Sequence, residues 1–137
     1  MKFSILLIVL LATLGGHRVM ANQQKRAKGA PEMNISADSV LRHVVLFKFK
    51  EGTSAKRVNE IKEAFANLRA KIPQIHSYED GVNNSLESLN KGFTHCFQIT
   101  FLSEDDRAIY LTHPDHIAFG DFLGSDVADV LVIDYWN

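Results

Sequence analysis

The residues best suited to chemistry fall between Gly92 and Gly120. The run Phe93-Thr94-His95-Cys96-Phe97-Gln98-Ile99-Thr100-Phe101 alternates as a strand and sets His95 among phenylalanines. A short helical stretch then ends in Tyr110-Leu111-Thr112-His113-Pro114-Asp115-His116. A histidine titrates near neutral pH and can take a proton as a base. A tyrosine hydroxyl can hold a carbonyl oxygen as negative charge develops on it. His116 is therefore the candidate base and Tyr110 the candidate hydrogen-bond donor. His43 lies near Val45 and Phe47 on an earlier alternating stretch. Together His43, Phe47, His95 and Phe97 would line an apolar pocket with a polar end, the usual form of a small-molecule site. Plainer roles compete. His43 and His95 could be core histidines bonded to backbone or to Tyr110, close enough on neighbouring strands to approach each other. His113 and His116 could cap the helices around Pro114, and His113 reads as structural.

The same stretch excludes other chemistry. It offers no His-x-x-x-His helix pair and no cysteine partner for a metal, and Cys96 should face away from His95. No metal site and no cofactor are expected. Cys96 reads as a small apolar residue. There is no glycine-rich phosphate loop, and no serine or cysteine in a nucleophile motif.

These side chains need elements to hold them. Leu41–Lys50 alternates as a strand, with His43, Val45, Phe47 and Phe49 on one face and Val44, Leu46, Lys48 and Lys50 on the other. Thr53 or Ser54 can cap a helix whose apolar residues Val58, Ile61, Phe65, Leu68 and Ile72 form one stripe, until Pro73 stops it. A second strand runs over Ile75–Val82. A polar loop, with one helical turn near Leu86 and Leu89, leads to the strand Phe93–Phe101. Ser103 caps the next helix, and Glu104, Asp105 and Asp106 suit its first turn. Pro114 ends it and opens another short helix that Gly124 closes. The final strand, Val127–Trp136, is apolar except for Asp129 and Asp134, so it should be central or covered on both sides. The order predicts an α+β fold, a ferredoxin-like βαββαβ arrangement with a four-stranded antiparallel sheet. Helices would cover one sheet face. The other, with Val44, Leu46, Cys96 and part of the last strand, would be bare in a monomer and should meet a second copy, sheet against sheet.

The 137 residues suit one globular domain by composition. Residues 1–21 read as a signal peptide: Lys2, an apolar run Phe3–Leu14, then Val19-Met20-Ala21. The run is too short to span a bilayer, which needs about 20 apolar residues. The expectation is an exported protein, periplasmic or secreted, with no membrane association after cleavage. Cleavage would remove Lys2 and Arg18, leaving a mildly acidic chain with no nucleic-acid surface. One cysteine allows no internal disulfide. Residues 22–40 are polar and read as a flexible linker, and residues 41–137 as the folded domain.

Four motifs in order, His43-Val44-Val45-Leu46-Phe47-Lys48-Phe49-Lys50, Lys91-Gly92-Phe93-Thr94-His95, His113-Pro114-Asp115-His116 and Val130-Leu131-Val132-Ile133-Asp134-Tyr135, resemble the stress-responsive dimeric α/β-barrel family, Dabb. The resemblance covers about Leu41 to Tyr135. It implies a homodimer whose sheets enclose a shared barrel, and larger rings in some plant members. A polyketide cyclase in the family uses a tyrosine that matches Tyr110 and a histidine that matches His116, with pocket histidines matching His43 and His95. The expected function is then a stress-associated module that binds small apolar or aromatic molecules. The alternatives are a cofactor-free lyase, cyclase or isomerase using His116 and Tyr110, and a purely structural oligomer.

Overall fold

The computed structural model describes residues 38–137. The expected signal peptide and all but the end of the expected linker lie outside them. The elements are β1 (Leu41–Phe49), α1 (Ala55–Lys71), β2 (Ser77–Val82), β3 (His95–Phe101), α2 (Glu104–Thr112), α3 (Pro114–Leu123) and β4 (Val127–Trp136). The strands form one antiparallel sheet in the order β2-β3-β1-β4. This is the ferredoxin-like α+β arrangement that the element order predicts.

Local signals account for the boundaries. Ser54 accepts a hydrogen bond from the Arg57 amide at the start of α1, and Ser103 accepts from Asp106 at the start of α2. His113 closes α2 and caps α3, its Nδ1 accepting from the Asp115 amide, with Pro114 as the first helical residue. Gly124 ends α3 at φ +53°, a backbone region that favours glycine. The segment between Val82 and His95 holds turns and bends but no helical turn. Its many asparagines and serines satisfy local amides instead, as Asn83 and Asn90 do for Ser85 and Gly92.

The helices cover the sheet face that carries the odd-numbered residues of β1. Phe65 from α1 sits at the centre of the core. Its ring lies 4.7 Å from Phe97 and 4.7 Å from Phe119, and it stacks on Phe47. The other face carries Val44, Leu46, Cys96, Leu131, Ile133 and Tyr135 and meets no element among the described residues.

β4 departs from expectation. It is an edge strand, and most of its residues are exposed on both faces. An apolar run suits a buried central strand, but here the topology places it outside β1. One face of the run borders the helices and the other joins the bare sheet.

Candidate functional site

A cavity of about 330 Å³ opens between the helix-facing side of β1 and β4 and the α2–α3 corner. His43, Tyr110 and His116 line it, with Phe47, Phe65 and Phe119 among its apolar walls. Each element contributes by its own geometry. The pleat of β1 turns His43 and Phe47 to the helix side. Tyr110 comes from the last turn of α2. The break at Pro114 then redirects the chain so that His116, on the first turn of α3, folds back over Tyr110.

The Tyr110 and His116 rings lie 4.3 Å apart between centroids, and Tyr110 meets His43 at 5.7 Å. His116 Nδ1 is 3.2 Å from the Leu111 carbonyl oxygen. A carbonyl only accepts, so Nδ1 carries the proton and Nε2 is left with its lone pair. Burial lowers the His116 pKa; His43 and His113 lower it further, and the Leu111 carbonyl opposes them. His116 is thus a neutral imidazole near pH 7, with a free basic nitrogen. Burial pushes the Tyr110 phenol well up, and Tyr78 adds to the shift. Tyr110 therefore stays protonated and keeps its donor. A base and an acid of this kind in one apolar cavity can bind a carbonyl or phenol, and can move a proton next to it.

His43 is 5 % exposed, and its Nδ1 lies 2.6 Å from Asp134 Oδ1. The carboxylate accepts that proton, which fixes the ring and turns Nε2 the other way. Arg107 Nη1 donates to the second oxygen, Asp134 Oδ2, at 2.9 Å. Neither Asp134 nor Arg107 is among the residues expected from sequence. The available signal was a lone carboxylate among the apolar residues that β4 turns to the helix side, Asp129 lying on the opposite face.

His95 and Phe97 do not line this cavity. Phe97 is fully buried beneath Phe65 and Phe47. His95 pairs with Phe47 across the sheet, whereas His43 pairs with Ile99. The two histidines are therefore four positions apart along the strands, roughly 13 Å, and cannot meet. His95 packs edge-on against Phe49 and contacts the Thr94 hydroxyl. Burial lowers its pKa; Lys62 adds to this and Asp80 opposes it. Cys96 faces away from His95, as the alternation predicts. Among the described residues, no group of acidic, histidine or cysteine side chains is arranged to hold a metal ion.

Sequence and structure comparisons agree with this architecture. The family model of the stress responsive A/B barrel domain, Dabb, matches residues 41–137. The stress-response A/B barrel domain-containing protein HS1 of Arabidopsis thaliana is 40% identical over 100 residues, 72% of this chain and 91% of that protein. Olivetolic acid cyclase of Cannabis sativa is 28% identical over 95 residues, 69% of this chain and 94% of the cyclase. The crystal structure of a dimeric ferredoxin-like protein from Thermobifida fusca superposes with a TM-score of 0.61 at 25% identity, covering 71% of this chain and 90% of that one.

Proposed function

We propose a function from one premise: the chain belongs to the stress responsive A/B barrel domain family. In this reading it is a stress-associated homodimer that holds a small apolar or aromatic molecule in the cavity of each protomer. One observation carries it. His43, Tyr110 and His116, with Asp134 beside His43, converge on a single, largely apolar hollow of about 330 Å³, a size that suits such a ligand. The bare sheet face, with Val44, Leu46, Leu131 and Ile133, is the surface for the second copy, and the dimeric ferredoxin-like neighbour supports that pairing. Export after loss of residues 1–21 belongs to the same reading, supported by the charged and then apolar composition of that segment.

A second reading has its own support. Tyr110 and His116 face one cavity with their rings 4.3 Å apart, and the chain is similar to a protein named olivetolic acid cyclase. In this reading the protein is a cofactor-free lyase, cyclase or isomerase, with His116 Nε2 as base and the Tyr110 hydroxyl as donor. A purely structural oligomer, its pocket filled by its own side chains, has the open cavity against it.

The test is a thermal-shift screen of aromatic acids and polyketide-like compounds on the purified protein, repeated on His116→Ala. Binding predicts hits that raise the melting temperature and weaken in the variant. Hits that bind the variant equally well would remove His116 from the site. Product formation from a hit, lost in His116→Ala and Tyr110→Phe, selects the enzyme reading.

A further inference from the structure

Among the described residues, Tyr78 Oη is the one buried side-chain polar atom with no hydrogen-bond partner. Such a hydroxyl costs stability, and phenylalanine would fill the same space without the cost. The register shows where it sits. Tyr78 pairs with Ile99, Ile99 with His43 and His43 with Asp134, so these residues form one rung across the helix-facing side of the sheet. The Tyr78 ring packs at 5.8 Å against Phe65, which is a wall of the cavity. Tyr110 packs above the same rung, against His43 and Phe101. After burial, Tyr78 is the next cause that holds the Tyr110 phenol up.

We propose that Tyr78 is a positioning residue of the ligand site, and that its hydroxyl, through Tyr110, makes the cavity select ligands carrying a carbonyl or phenolic oxygen. With such a ligand present, the Tyr78 O–H donates to Tyr110 Oη and the Tyr110 O–H donates to the ligand oxygen. Each bond polarises the next, so the chain strengthens Tyr110 as a donor. Hydrogen bonds of this kind are often loose without ligand and tighten when it enters. The inference rests on the ligand-binding reading above.

The test compares two probes of nearly equal shape, acetophenone and α-methylstyrene, which differ in C=O against C=CH2. Dissociation constants are measured for the wild-type protein, Tyr78→Phe and Tyr110→Phe, with melting temperatures alongside. The wild type should prefer acetophenone. Tyr78→Phe should weaken acetophenone about tenfold, leave α-methylstyrene unchanged and hold or raise the melting temperature. Tyr110→Phe should abolish the preference. Equal acetophenone affinity in Tyr78→Phe and wild type overturns the inference while leaving the pocket standing. So does a wild type that binds both probes alike, a variant that weakens both equally, or one that melts earlier, since the hydroxyl would then serve packing. If neither probe binds the wild type, the ligand-binding reading itself fails for this class and takes the inference with it.

Discussion

Replacing Asp134 by alanine tests the hidden half of the site. The carboxylate accepts from the His43 ring at 2.6 Å and from Arg107 at 2.9 Å. These contacts differ in weight. His43 is nearly sealed from water, so its Nδ1–H loses its partner where no solvent replaces it. A buried hydrogen bond with a charged partner contributes about 1.5–3 kcal/mol. Arg107 and Asp134 are about a quarter and a third exposed. Their pair is screened and contributes below about 1 kcal/mol. Asp134→Ala should therefore cost about 2–3 kcal/mol, Arg107→Ala less than 1, and the double variant little more than Asp134→Ala alone. Urea denaturation at fixed protein concentration reads this as a lower midpoint with unchanged slope. The variant should also weaken any cavity ligand, because His43 would no longer be held in one orientation. A loss below about 0.5 kcal/mol for Asp134→Ala would refute the reasoning: the His43–Asp134 contact would then contribute nothing to the fold.

Acid should act through His116, and through His95, because burial depresses both pKa values below the ordinary 6.5. The unfolded chain then takes up protons first. Stability is full above about pH 6.5 and falls as the pH drops toward the depressed folded values, and His116→Gln should flatten part of that fall in urea midpoints measured against pH. Phe65→Ala, which removes the ring stacked among Phe47, Phe97 and Phe119, should cost roughly 3–5 kcal/mol by chemical denaturation, while Phe65→Leu should cost clearly less. Leu131→Lys places a charge on the bare sheet face, where Leu131 is 41% exposed in the single chain. Light scattering should then report monomers with an unchanged circular dichroism spectrum, and a dimer that survives would move the interface elsewhere.

Much of the scaffold was legible from local pattern. Alternation places β1 and β3, although β3 starts at His95 rather than Phe93, whose amide closes a turn on the Asn90 carbonyl instead of joining the ladder. Ser54, Ser103, Pro114 and Gly124 bound their helices because capping and proline geometry act within a few residues. Tyr110 and His116 were legible as a pair for the same reason: six positions apart across a proline break, they are brought together by a short corner.

Residues far apart in the chain are a different matter. His43 and Asp134 are 91 positions apart, and nothing in either segment names the other. Only the strand order β2-β3-β1-β4 makes them neighbours, and the same order puts the most apolar strand at an edge. Likewise the alternation puts His95 on the helix side but cannot say at which rung. The register does, and it carries His95 down the sheet, away from His43 and the cavity. Which face a side chain takes follows from the two-residue repeat of an extended backbone, a property of the chain itself. Which partner it meets depends on how hydrogen-bonded ladders slide into register when the core closes, and that is decided only in three dimensions.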